Sequence, residues 1–227
     1  MKKMILILVA VGFMANTISA QYDSTSQYDR TTQYNRTSQY DNTDLRDKVH
    51  FGLKAGANYA NVYDTQDQEF TADYKFGFTG GLFLSIPAGK YLGIQPEILY
   101  SQKGYKASGT FLTIPYAYAH TASYIDIPLL VTLKPSRFLT LLAGPQYSFL
   151  IMEKNEFTSG NFTESQQSEF ENDKSVFGVL GGIDLNMEKV VLGLRAGWDL
   201  QNNDGDGTTT NPRYRNMWYQ ATLGFRF

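Results

Sequence analysis

The residues from Asn216 to Phe227 alternate without a break: Met217, Tyr219, Ala221, Leu223, Phe225 and Phe227 fall on one face of an extended chain, and Trp218, Gln220, Thr222, Gly224 and Arg226 on the other. Successive side chains of a strand point to opposite faces, so a period of two predicts a β-strand with one apolar side. The same texture recurs in seven segments upstream, over residues 49–59, 74–86, 92–101, 124–133, 139–149, 177–185 and 190–200. In the first, Val49, Phe51, Leu53 and Tyr59 oppose His50, Lys54 and Asn58; in the fourth, Ile125, Ile127, Leu129 and Val131 oppose Tyr124, Asp126 and Leu130. Short turns follow the second, fourth and sixth segments at Pro87-Ala88-Gly89-Lys90, Lys134-Pro135-Ser136-Arg137 and Asn186-Met187-Glu188-Lys189. The other connections are long, including 105–119, 153–174 and 201–215, so all long loops are expected at one end of an eight-stranded antiparallel sheet.

The polar faces decide which way this sheet is turned. They carry Lys54, Lys75, Glu97, Asp126, Asp184, Arg195, Asp199 and Arg226, interleaved with Gly52, Gly56, Gly81, Gly144, Gly182, Gly197 and other glycines. A strand that faces water gains nothing from so many glycines, each of which weakens it. The interior of an eight-stranded barrel is just wide enough for side chains, and there small residues must alternate with large and charged ones. The expectation is therefore an all-β, up-and-down, eight-stranded antiparallel transmembrane β-barrel over residues 49–227, with its apolar face in lipid and its charges paired inside. Glu97 and Asp126 are the candidate partners of Arg195 or Arg226, since an unpaired buried charge is costly. Strand direction places Tyr59, Tyr74, Tyr100, Tyr147, Phe177, Trp198 and Tyr219 outward near the long-loop end, and Phe225 and Phe227 near the short-turn end, as two candidate aromatic girdles.

Composition fits an exported membrane protein. The start, Met1-Lys2-Lys3 followed by an apolar run and the small pair Ser19-Ala20, reads as a signal peptide over residues 1–20. Residues 21–44 hold four hexapeptides, from Gln21-Tyr22-Asp23 to Gln39-Tyr40-Asp41, with one tyrosine each as the only large apolar group. Such a stretch cannot bury enough surface to offset its chain entropy, so 21–48 is expected to be a disordered periplasmic spacer. Cysteine is absent, which excludes disulfides, thiol nucleophiles and lipid attachment through sulfur. The net charge of −2 and the lack of a basic stripe argue against a nucleic-acid partner.

Pro96, Pro128 and Pro145 interrupt predicted strands, where each removes a ladder hydrogen bond, so bulges or local breaks are expected there. The segments around them, Leu92-Gly93-Ile94-Gln95-Pro96-Glu97-Ile98-Leu99-Tyr100-Ser101-Gln102-Lys103-Gly104, Tyr124-Ile125-Asp126-Ile127-Pro128-Leu129-Leu130-Val131 and Leu142-Ala143-Gly144-Pro145, resemble the outer-membrane β-barrel family of PorT-like proteins. The resemblance spans about residues 49–227 and implies an eight-stranded barrel similar to OmpA and OmpX, without a common catalytic motif. The closing strand likewise resembles that of bacterial outer-membrane barrels, where Tyr219, Leu223, Phe225 and the terminal Phe227 correspond to the signal read by the barrel-assembly machinery.

Candidate chemistry is sparse. His50 and His120 are the only histidines. His120 and Ser123 stand three residues apart and so on opposite faces of a strand, which disfavours a nucleophile and base pair. Asp204-Gly205-Asp206-Gly207 lacks a ligand-spaced glutamate for calcium, and Asn161-Phe162-Thr163 is a glycosylation acceptor by pattern alone. No metal or cofactor is expected. The long connections offer more: Phe111, Pro115, Tyr116 and Tyr118 make one aromatic, and Glu156, Glu164, Glu169, Glu171 and Asp173 make the next acidic. The sequence thus points to a monomeric, non-catalytic barrel with a structural or binding role through its outer loops and both termini in the periplasm. A narrow solute channel and a secreted, lipocalin-like ligand carrier are the alternatives.

Overall fold

The computed structural model describes residues 46–63, 72–111, 114–159, 162–169, 175–202 and 214–227. The candidate signal peptide, the hexapeptides, Asn161, Glu171, Asp173 and the Asp204–Gly207 run lie outside the described residues. Nine strands are present among the described residues, and no helix: β1 (His50–Tyr63), β2 (Asp73–Pro87), β3 (Leu92–Phe111), β4 (Ile114–Leu133), β5 (Leu139–Ser159), β6 (Phe162–Glu169), β7 (Ser175–Met187), β8 (Val190–Asp199) and β9 (Arg215–Arg226). All but β6 form a ring in the order β4-β3-β2-β1-β9-β8-β7-β5, closed by pairing of β4 with β5. Every pairing is antiparallel. The closing strand β9 zips onto β1 from Arg226 opposite Gly52 to Arg215 opposite Tyr63, and Phe227 adds a hydrogen bond from its amide to the carbonyl of Phe51 at 2.9 Å. This is an eight-stranded up-and-down β-barrel, with no open edge in the ring.

Its faces are inverted relative to a protein dissolved in water. Phe51, Leu82, Val131 and Leu223 are 50–60% exposed on the outside, whereas Lys54, Glu97, Lys103, Asp126, Asp184, Arg195 and Asp199 are buried inside. Water-soluble folds bury the first kind and expose the second. Strands with apolar-out, polar-in alternation belong to a barrel surrounded by lipid. A lipocalin-like carrier would need the opposite arrangement, so that alternative is overturned.

The lumen is filled. Gly197 lies under the Trp218 ring and Gly52 under the Phe83 ring, so closely that a Cβ at either glycine would overlap the ring. The small residues on the inner face therefore make room for large ones projecting from the neighbouring strand.

One expectation needs correction. The connections at 105–119 and 153–174 are mostly not loops: β3 and β4 continue pairing out to Phe111 opposite Ile114, β5 runs to Ser159, and β6 folds back along it from Phe162 to Glu169. Alternation fades there, where residues 151–156 are partly exposed on both faces of β5. The prolines produce the local breaks expected of them, without register shifts. Ladder partners are missing between Phe83/Glu97 and Ile86/Ile94, and between Pro128/Gln146 and Val131/Ala143, yet the register is the same on both sides. The irregular registers lie elsewhere, at Tyr74/Thr79 and Ser123/Tyr124.

Candidate functional site

The polar interior is built around Glu97 on β3. Arg195 on β8 donates to it from both terminal nitrogens, at 2.7 and 3.0 Å, in the two-pronged geometry that makes guanidinium–carboxylate pairs strong. Lys54 on β1 donates to Glu97 at 2.7 Å, the Gln95 amide donates to the same carboxylate at 2.8 Å, and Arg195 also reaches Asp184 on β7 at 3.3 Å. The Lys54 ammonium lies 4.9 Å from the centroid of the Phe83 ring. Four strands are thus tied across the lumen by charges that have almost no contact with solvent. Desolvating them is costly, and only the dense pairing offsets that cost.

A second cluster lies nearer the end opposite the short turns. Lys103 on β3 pairs with Asp126 at 3.3 Å, donates to Ser148 at 3.2 Å, and rests over the rings of Trp218 (3.9 Å) and Tyr124 (4.8 Å). Asp199 accepts from the Asn216 amide at 2.7 Å. Between the clusters Asn58, Ser101, Gln220 and Thr79 form a hydrogen-bonded belt. Above them Tyr214 donates its hydroxyl to His120 Nε2 at 2.8 Å, and His120 Nδ1 faces the Asn155 side-chain oxygen at 2.7 Å, which Tyr118 also reaches at 2.8 Å. An amide oxygen only accepts, so Nδ1 carries the proton and Nε2 accepts from Tyr214. Ser123 lies on the other side of β4 and accepts from Tyr100 at 3.1 Å, so it does not meet His120.

The expected lumen residues are therefore not all brought together. Lys54, Glu97, Asp184 and Arg195 form one network. Asp126 takes Lys103 in place of an arginine, Arg226 donates to the Glu188 carbonyl at 2.6 Å, and Lys75 donates to the His120 carbonyl at 3.3 Å and to the Thr121 hydroxyl. Lys103 was missed because strand three was ended at Ser101. One more step of the Leu99, Ser101 alternation reaches it.

On the outside, Tyr59, Tyr147, Phe177, Trp198 and Tyr219 are exposed, and Tyr74 and Tyr100 partly so. Tyr74 stacks on Tyr59 with ring centroids 4.6 Å apart and lies 6.3 Å from Tyr219. At the short-turn end Phe227 stacks on Phe51 at 4.9 Å and meets Phe225 at 5.2 Å. Beyond the level of Tyr100, β3, β4, β5 and β6 continue as a sheet. Pairing on β3 extends from Tyr100 to Phe111, roughly 36 Å of strand. Among the described residues the outermost strand β6 pairs with β5 alone, and Thr163, Glu164, Ser165, Gln166, Gln167 and Ser168 are exposed.

Residues 37–205 match a family model described as outer membrane protein beta-barrel domain. The chain belongs to that family. Its members' location, the bacterial outer membrane, agrees with the apolar exterior and polar lumen. Among solved structures, the attachment invasion locus protein Ail of Yersinia pestis is similar at 14% identity and a TM-score of 0.45, over 78% of this chain and 98% of that one. Neisserial surface protein A gives 14% and 0.44, over 78% and 97%. OprG of Pseudomonas aeruginosa gives 9% and 0.35, over 79% and 94%. No curated protein sequence matches this chain.

Proposed function

We propose that this chain is a non-catalytic recognition protein of the outer membrane, which presents the β3–β6 sheet to the cell exterior and keeps both termini and the short turns in the periplasm. The observation that carries this reading is β6. It is an edge strand whose residues Thr163 to Ser168 are polar and exposed, with one side of its backbone paired to β5. An unpaired edge is a template for an extended segment of another protein, and alternate side chains then set specificity. The polar sequence Thr163-Glu164-Ser165-Gln166-Gln167-Ser168 discourages indiscriminate pairing of copies with one another.

The outward tyrosines and Trp198 serve as the outer aromatic girdle, and Phe225 and Phe227 as the inner one. The stretch from Tyr219 to Phe227 is about the length of a membrane-crossing strand. Tyr219, Leu223, Phe225 and Phe227 also make the ending that the barrel-assembly machinery reads. The breaks at Pro96, Pro128 and Pro145 favour the PorT-like branch of the family. The charge-filled lumen with Trp218 across it favours a closed plug over a solute channel, and no cofactor or nucleic acid has a role. The barrel works as a monomer.

The absence of native cysteine makes the topology directly testable. Gln166→Cys is expected to react with a membrane-impermeant maleimide on intact cells, and Lys90→Cys, in a short turn, only after the outer membrane is opened. The reverse labelling pattern overturns the reading. Steady single-channel conductance in planar bilayers would favour the channel in place of the plug.

A further inference from the structure

The short-turn mouth of the barrel holds a cavity of about 180 Å³ that plays no part in the function proposed above. Four cations line it: Arg46, Lys134, Arg137 and Arg226. The carboxylates that line it are Asp184, which is engaged with Arg195, and Glu188. The lining thus carries an excess of positive charge, four cations against two anions.

Two of these cations are poorly compensated. Lys134 is buried at 6% exposure, yet its ammonium meets only neutral oxygens, the Arg46 carbonyl at 3.2 Å and the Ser85 hydroxyl at 3.3 Å. Arg226 uses one terminal nitrogen on the Glu188 carbonyl at 2.6 Å, while its Nε is sealed from solvent with no acceptor. Neither residue forms a salt bridge among the described residues. The backbone here is fixed around them: Glu188 takes a left-handed φ of 47° in the two-residue turn between β7 and β8, and its carbonyl is the one Arg226 holds. Lys134 lies in a turn outside the membrane, where burial and then the nearby Arg226 cation push its pKa down and the Asp47 carboxylate, outside the lining, offsets them only in part. At the rim, Arg46 lies over the Tyr91 ring at 5.7 Å and Arg137 over Phe138 at 4.7 Å.

Buried cations without anions are costly, and they persist where a ligand supplies the missing charge. We propose that this mouth binds a phosphate group, held by Lys134 and Arg226 with Ser85 as a neutral partner and Arg46 and Arg137 at the entrance. A phosphate monoester carries close to two negative charges at neutral pH and three acceptor oxygens, which matches the charge excess of the lining. A cavity of this size admits a group as large as a benzene ring, which leaves room for phosphate but not for a folded partner. The phosphate is either free or the headgroup of a lipid. The orientation proposed above puts the mouth in the periplasm, but the test below is made in solution and does not depend on it.

The full mature chain is refolded in a maltoside detergent, which contains no phosphate, and titrated by NMR with inorganic phosphate against chloride at matched ionic strength. Saturable shifts at Lys134, Ser85 and Arg226 are expected, with none in β6. A parallel titration with short-chain phosphatidic acid identifies the source: tighter binding than inorganic phosphate marks a lipid headgroup, equal binding a free ion. Lys134→Gln with Arg226→Gln should weaken binding about tenfold or more while heat-modifiable gel mobility stays that of a folded barrel. Lys90→Gln, outside the cavity, should change nothing. The proposal is overturned if phosphate causes no saturable shifts, if acetate does as well as phosphate, or if the folded double variant binds as tightly as the parent. Should the double variant fail to fold, Ser85→Ala and Lys134→Gln tested singly take its place, and unchanged affinity in both overturns the assignment.

Discussion

Glu97 and Glu156 are both strand glutamates within reach of a lysine, at 2.7 Å from Lys54 and 2.5 Å from Lys154, yet they lie in different media. The Glu97 side chain is sealed inside the barrel at the centre of a four-residue charge network, whereas the Glu156 and Lys154 side chains are about 40% exposed on the outer sheet. Inside, each charge has given up its hydration and depends on its partners. Outside, water and salt replace a lost partner at little cost. The same residue pair is thus structural in the lumen and close to neutral in the sheet, which leaves the outer sheet free to vary and the lumen constrained.

The largest expected effect comes from breaking the inner network. Glu97→Ala strands Lys54 entirely and deprives Arg195 of its two-pronged partner, so a loss of about 3–5 kcal/mol is expected. Reversible urea unfolding in lipid vesicles, followed by Trp198 and Trp218 fluorescence, measures it. A loss below about 1 kcal/mol would mean that water enters the lumen and that the two regions do not differ as described.

Next comes the lipid-facing side. Leu129 is 52% exposed on the outer face of β4, next to Pro96 across the β3 pairing. Leu129→Arg should cost about 2–4 kcal/mol if that face lies near the bilayer middle, and the same unfolding assay reads it. An unchanged stability would place β4 differently in the membrane.

The strand faces were legible in the sequence because lipid on one side and a crowded lumen on the other impose a strict period of two: Phe51, Leu53, Lys54 and Glu97 could be assigned by position alone. Partners across the lumen were not, because nothing local couples Glu97 to Arg195, which lies 98 residues away. Lys103 and the outer ends of β3 to β6 were missed for a different reason. From Glu153 to Phe157 both faces are at least partly exposed, so the burial pattern that identifies a strand disappears while its hydrogen bonding to β4 and β6 continues. The mouth cations illustrate the same limit: Arg46, Lys134 and Arg226 come from distant parts of the chain and meet only when the ring closes.

The smallest effect is expected in that outer sheet. Lys154→Gln removes one member of the exposed pair with Glu156 but leaves β5 hydrogen-bonded to β4 and β6 on both sides, at Thr121 and Gln167 opposite residue 154. Since backbone pairing, and not the ion pair, holds this region, unfolding free energy should stay within error of the parent at low and at high salt alike. If Lys154→Gln instead destabilised the protein and salt closed the gap, the outer sheet would depend on its charges as the lumen does, and the division between a constrained interior and a permissive exterior would fail at its weakest point.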